Sequence, residues 1–403
     1  MLNKKNFFED FTSNSIKFNQ NLKKTKIVFN SFKSDLQNFK IPLLQSYDKN
    51  YIYDFAPPII KKFNKYKNVI IIGMGGSILG SKAIYSFFKD KIKKKVFFFD
   101  NLDANLHLQF NKIKNLKNSC FIIISKSGNT LETIANFSMI FSKSLLKNKL
   151  VIITEVKDNI LTKIASEFNA EIIEHKDFIG GRYSVLSEVG MFPSALMGLN
   201  TSKFKNLKKL INSKSFVSSL IQDVACIYTL NGQGKKNSVI LNYDSDLNNL
   251  SYWYQQLIGE SLGKNQKGIT TILSPSPRDH HSVLQLYLDG PKDKFFTFFN
   301  SSNSISKYKI YGKIIPDNMK FIKNKSLKFI VDAQCEATKK IFKTKNIPFR
   351  HFIFNKNNEE ELGSIFTFFV LETILLARLL KVNPFNQPAV EQVKIETRKI
   401  LLK

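Results

Sequence analysis

At 403 residues, with 43% hydrophobic content, the chain is long enough for two domains that each carry a core, and too apolar for wholesale disorder. Its net charge of +29 comes from lysines scattered along the whole length beside abundant Asn, Ile and Phe. That is a compositional bias, so no nucleic-acid partner is expected, and the charge favours solubility and small acidic substrates. Cys120, Cys226 and Cys335 are widely spaced and odd in number; they suggest neither a disulfide framework nor a metal site and fit a reducing cytoplasm. The first ten residues lack the apolar core of a signal peptide, so a cytoplasmic location is expected.

Residues 1–50 are polar with helical spacing and read as an N-terminal helical arm, closed by Pro57-Pro58. From Lys67 the pattern becomes strand, glycine turn, helix: 69–72, 73–80 and 81–88. Further strands are expected at 96–99, 120–124 and 150–154, with helical patterns between them. The pattern restarts with a strand at 239–243, a helical stretch at 250–258, and strands at 270–273, 295–299 and 352–354. Strands alternating with helices at this spacing give an α/β fold of two doubly wound parallel-sheet domains, 51–200 and 201–382, with a C-terminal helix over 383–403. The apolar run 363–382 is long enough to span a bilayer, but Glu372 and Arg378 are expensive there, so a buried core helix and no membrane partner are expected.

Six segments could carry chemistry. Ser125-Lys126-Ser127-Gly128-Asn129-Thr130-Leu131-Glu132-Thr133 turns from the strand 120–124 into a helix at 134–141. Its hydroxyls, Lys126 and the helix N–H groups suit a phosphate, although Asn129 or Thr130 could equally serve as an ordinary N-cap. The glycine turn 73–80 is not a dinucleotide fingerprint, because Ile78 stands where the third glycine belongs. No nicotinamide or other cofactor is expected; instead the N–H groups of Gly76 and Ser77 would approach an anionic or hydroxylated ligand. Arg182 follows Gly180-Gly181 in a chain where lysine heavily outnumbers arginine, and its fixed fork suits a charged oxygen. Glu260 ends a helical run, with Gln256 one turn earlier on the same face. A carboxylate is unfavourable at a helix C-terminus, which hints at a role other than stability. His280 and His281 follow the turn Ser274-Pro275-Ser276-Pro277, where a proton donor could sit. Lys394 lies on the C-terminal helix with Val390, Val393 and Ile400, and would otherwise be one exposed lysine among many.

Taken in order, these segments resemble the phosphoglucose isomerase family. The resemblance rests on 73–80, 125–133, Gly180-Gly181-Arg182-Tyr183-Ser184, Gly259-Glu260-Ser261-Leu262-Gly263-Lys264, Asp279-His280-His281-Ser282, and Asn383-Pro384-Phe385 with Gln387, Val390, Glu391 and Lys394. It implies two sugar-isomerase domains, a homodimer with its active site at the subunit interface, a sugar-phosphate substrate, and no metal or cofactor. The implied reaction interconverts glucose 6-phosphate and fructose 6-phosphate through a cis-enediolate, in glycolysis and gluconeogenesis. By the same resemblance Glu260 is the base that moves a proton between C2 and C1, a role that burial would favour. Arg182 stabilises the enediolate, and His281, from the neighbouring subunit, assists ring opening with Lys394. Ser125, Lys126, Ser127 and Thr130 hold the phosphate, while Gly76, Ser77, Gly181 and Gln256 lie near the sugar. Two departures bear on the geometry near Lys394: Asn386 replaces an aspartate, and Pro388 stands where a helix-compatible residue is usual. A bifunctional phosphoglucose/phosphomannose isomerase and a non-catalytic sugar-phosphate sensor are the alternatives.

Overall fold

The computed structural model describes residues 3–6, 8, 15–38, 40–140, 146, 148–302, 308–355 and 357–403. The first sheet contains β2 (Asn68–Gly73), β3 (Lys95–Phe99), β4 (Ser119–Ile124), β5 (Leu150–Thr154) and β6 (Glu171–Glu174), in the order β3-β2-β4-β5-β6. Every pairing in it is parallel. The central strands β2, β4 and β5 are buried along their whole length, as near-continuous apolar runs covered by helices on both faces should be. Alternation divides their side chains between two cores. Val69 and Ile71 face a large core shared with the second half of the chain, and Ile70 and Ile72 face a smaller outer one.

The second sheet contains β1 (Asn3–Asn6), β7 (Asn237–Asn242), β8 (Thr270–Pro275), β9 (Lys294–Ser301) and β10 (Phe349–Phe354), in the order β1-β10-β9-β7-β8. Four of these strands are parallel, as expected. The fifth, β1, is an antiparallel edge strand on β10, pairing Asn3 with Ile353 and Asn6 with Arg350. The N-terminal arm is therefore not helical throughout; its strand is a short polar stretch with no apolar alternation to announce it. The arm's helix α1 (Ile16–Gln37) packs on the second half of the chain through buried Thr25, Phe29 and Phe32.

Helices relevant to the site are α2 (Leu79–Phe88), α3 (Leu131–Ile140), α4 (Glu188–Leu196), α5 (Lys214–Gly232), α6 (Asn248–Leu262), α7 (Glu359–Leu380) and α8 (Pro388–Leu401). Residue 141, expected to continue α3, lies outside the described residues. The apolar run read as a core helix is α7, whose most apolar 18-residue window is 94% buried. Glu372 on α7 meets Arg350 of β10 in a pair with no exposure on either side chain. Arg350 also reaches Asp223 of α5 at 2.8 Å and the Tyr254 hydroxyl of α6 at 3.2 Å. Arg378, the other charge of the run, pairs with Asp35 of α1 at 2.8 Å.

In the first sheet, the first strand in sequence lies between the second and third. Connections from β2 and β4 therefore leave in opposite directions, and a crevice opens beyond their carboxyl ends. The two loops that edge the crevice are the glycine turn after Gly73 and the hydroxyl-rich turn after Ile124; these two residues are register partners.

Candidate active site

Three segments converge at the glycine turn. Gly75 has φ +52, and a Cβ there would stand 2.8 Å from Nε2 of Gln256 on α6. A Cβ on Gly76 would stand 2.2 Å from the carbonyl carbon of Gly181, so the two backbones touch in a way only glycine permits. Ser184 fastens this contact, its hydroxyl donating to the carbonyls of Gly181 at 2.7 Å and Gly76 at 3.3 Å. The Ser77 N–H does not face a ligand as expected. Residues 75–77 form a 3-10 turn that directs this N–H to the Met74 carbonyl at 3.1 Å.

Arg182, carried on the short helix Gly181–Leu186, is 3% exposed. Its Nη1 donates to Glu260 Oε2 at 2.6 Å and Gln387 Oε1 at 2.8 Å. Its Nη2 donates to the carbonyls of Pro384 at 2.8 Å and Asn386 at 3.2 Å. Gln256 completes the cluster, donating to Glu260 Oε1 at 2.7 Å across one helical turn. Buried Nε of Arg182 and Oε1 of Gln256 have no partner among the described residues. Glu260 is more open than the role of base suggested, with a third of its side chain exposed, because the Arg182 guanidinium rather than an apolar wall covers one side of it.

Residues that the sequence reading passed over hold this cluster. Lys264 donates to the carbonyls of Glu260 at 2.7 Å and Ser261 at 2.8 Å. Burial pushes its pKa down to about 8, with nearby Arg182 adding to the effect and Glu260 opposing it. The Tyr183 hydroxyl donates to the Pro384 carbonyl at 2.9 Å. Having one proton, it must accept from Ser261 Oγ, also at 2.9 Å. Asn386 acts through its backbone carbonyl, so its replacement of an aspartate leaves the Arg182 contact untouched. Pro388 opens α8 at its first position, where a missing N–H costs nothing. The quoted motifs contained these residues, but their roles lie in backbone carbonyls and a shared hydroxyl, which spacing cannot show.

At the second loop, Ser125 is buried and its hydroxyl lies 2.8 Å from that of Thr130. Gly128 has φ +69, and a Cβ there would lie 2.0 Å from Asn159 Oδ1. Asn129 does not cap its own helix; its Oδ1 accepts from the N–H of Ile160, on the neighbouring helix Ile160–Phe168, at 3.0 Å. Thr130 occupies the capping position, since its carbonyl accepts from Ile134 N–H at 3.1 Å, but its hydroxyl is engaged with Ser125. Helix α3 thus begins with N–H groups that have no intrahelical acceptor. Lys126 reaches over to the Asp177 carbonyl at 2.5 Å, and exposed Ser127 accepts from Asn129 N–H at 3.2 Å. Together these groups make a donor-lined, cation-edged turn at a helix N-terminus, a shape suited to an anion.

The remaining two candidates are not joined to the Arg182–Glu260 cluster within one chain. His281 ends the short helix Arg278–His281 and is exposed. Its neighbour His280 faces inward, with Nε2 at 2.7 Å from the Tyr243 hydroxyl and its pKa lowered by burial. Lys394 is exposed and pairs with Glu391 at 2.6 Å on its own helix, none of whose residues is buried. Among the described residues no group of three or more His, Cys, Asp or Glu side chains is arranged to hold a metal ion.

The phosphoglucose isomerase family model matches residues 60–276. A glucose-6-phosphate isomerase of Methanocaldococcus jannaschii is 34% identical over 357 residues, covering 86% of this chain and 87% of that protein. One of Campylobacter jejuni is 31% identical over 353 residues, covering 83% and 85%. Among solved structures, a hypothetical protein of Thermus thermophilus shares the fold with a TM-score of 0.80 at 22% identity, over 100% of both chains.

Proposed function

Since the chain belongs to the phosphoglucose isomerase family, we propose that its crevice reversibly isomerises glucose 6-phosphate and fructose 6-phosphate, with Glu260 as the base. The carrying observation is the Arg182–Glu260 contact at 2.6 Å, beside a crevice whose other edge is the donor-lined turn at 125–130. In this reading Ser125, Lys126, Ser127 and Thr130 hold the phosphate. Its binding energy holds the sugar against Gly76, Ser77, Gly181 and Gln256. Glu260 removes the C2 proton and then delivers a proton to C1, and its partly exposed carboxyl can exchange with solvent between the two steps. As negative charge develops on the cis-enediolate oxygens, Arg182 stabilises it from a fixed position already free of bulk water. The guanidinium has acceptors on both terminal nitrogens, so substrate oxygen displaces one of them, and the carboxylate of Glu260 is thereby released for the proton.

Ring opening falls to His281 and Lys394, the second copy of a homodimer supplying the histidine. Support for a dimer comes from α8. Val390, Val393, Ile400 and Leu401 are 46%, 67%, 67% and 66% exposed and recur at the spacing of one helix face, beside Lys394. A partner that covered this stripe would enclose Lys394 with it. A cytoplasmic enzyme of glycolysis and gluconeogenesis follows from this reading.

A coupled spectrophotometric assay tests it, with interconversion of the two hexose phosphates as the expected result. The Ser127-Gly128-Asn129-Thr130 loop also suits a bifunctional enzyme, and turnover of mannose 6-phosphate at a comparable rate would select that reading. Binding of both sugars without turnover would select a sensor.

A further inference from the structure

We infer that Lys264 is a positioning residue for isomerisation, gripping the last turn of α6 so that the Glu260 carboxylate is presented at a fixed place. The inference rests on Glu260 being the base. The final carbonyls of a helix have no intrahelical donor, and here one ammonium serves two of them, at 2.7 and 2.8 Å, one belonging to Glu260 itself.

Lys264 is in turn held by a tight hairpin. Its N–H and carbonyl exchange bonds of 3.1 and 2.9 Å with Lys267, around left-handed Asn265 and Gln266. Lys267 then donates from Nζ to the Leu380 carbonyl, the last residue of α7, at 2.9 Å. The segment after α7 supplies the Pro384, Asn386 and Gln387 oxygens that hold Arg182. One hairpin therefore braces the carboxylate through Lys264 and the guanidinium's cradle through Lys267.

An ordinary capping lysine on a surface helix would keep its charge to high pH. Lys264 differs because it is partly buried and faces Arg182 from the turn at 181–186, with Glu260 of α6 as the opposing charge. Its ammonium gives up a proton near pH 8, and a neutral amine grips carbonyls less strongly than an ammonium. The grip on α6 weakens accordingly as pH rises.

The test compares wild type, Lys264→Met and Lys264→Arg in kcat, KM and melting temperature from pH 6.5 to about 9.5, a range spanning the titration of a perturbed lysine. Glu260→Gln is assayed in parallel. Lys264→Met is expected to lower kcat about tenfold or more with KM within about threefold, because the phosphate site is untouched. Lys264→Arg, which does not titrate, is expected to restore most of kcat and move its alkaline fall to higher pH. If Lys264→Met does not fold, the pH profile of Lys264→Arg still decides. A Lys264→Met kcat within twofold of wild type, or an unchanged alkaline fall in Lys264→Arg, overturns the positioning role. An active Glu260→Gln instead removes the base assignment, a separate failure.

Discussion

At the scale of single residues, contact geometry rather than residue type sets the tolerances of the site. Gly76 is the sharpest case, since a methyl group there would overlap the Gly181 carbonyl at 2.2–2.3 Å, and neither backbone can yield without shifting Arg182. Gly76→Ala is expected to cut kcat/KM by about a hundredfold, in keeping with the cost of misplacing reacting groups by about 1 Å; steady-state kinetics on fructose 6-phosphate measure it. Ser125→Ala removes a buried hydroxyl that lies against Thr130. Its expected effect is a rise in KM of about tenfold with a smaller change in kcat, as befits uniform binding of the phosphate in ground and transition states. Equal losses in kcat and kcat/KM would instead place Ser125 at the chemistry.

At the scale of elements, the buried cluster beside α4 gives stability a pH dependence. Lys205 is 1% exposed, with Nζ 3.5 Å from the Tyr53 ring centre and bonded to the Tyr51 carbonyl at 3.0 Å. The Tyr51 hydroxyl donates to Glu188, which opens α4, at 2.9 Å. Burial pulls the lysine down to about 7, against the pull of Glu188 and Asp48. Its unfolded value is about 10.4, so between these two values the unfolded chain binds the extra proton and stability rises with pH. Urea titrations should show wild type gaining on Lys205→Met by up to about 1.4 kcal/mol per pH unit across that window. A difference that stays flat from pH 7 to 10 would contradict the cause assigned to the shift. Elsewhere, Glu372→Gln unbalances the fully buried Arg350 cluster and should cost about 3–5 kcal/mol, because one buried charge is left short of its partner.

Elements also differ in how plainly they could be read. Strands β2, β4 and β5 are near-continuous apolar runs and α7 is a long one interrupted by Glu372 and Arg378, and burial on every side makes such runs visible. β6, Glu171-Ile172-Ile173-Glu174, gives no such signal, being a short edge strand with a charge at each end. β1 reads as part of a helical arm because an edge strand pairs through its backbone and needs no apolar pattern. The site was readable to a similar depth. Gly76, Arg182, Gln256 and Glu260 do come together, since each sits in a motif whose composition departs from the lysine-rich background. Lys264, Tyr183 and the Pro384 and Asn386 carbonyls act through backbone oxygens and long-range contacts. Only the fold, which brings α6 and the segment after α7 to the turn at 181–186, reveals them.

At the scale of the whole molecule, the large core shared by the two sheets keeps the crevice and α6 in register, while α8 leaves the site as an uncovered amphipathic helix. If the proposed dimer forms through that uncovered stripe, Val393→Asp is expected to shift the particle from dimer to monomer in light scattering at micromolar concentration and to lower activity in step. A monomeric wild type of full activity would remove the shared site. The most direct test of the central claim, proton transfer by Glu260, is deuterium wash-in from D2O. Wild type should convert the sugars and place deuterium from solvent at C1 of fructose 6-phosphate. Glu260→Gln should lose both turnover and exchange by about a thousandfold or more while still binding fructose 6-phosphate; a variant that exchanges at the wild-type rate would contradict the account.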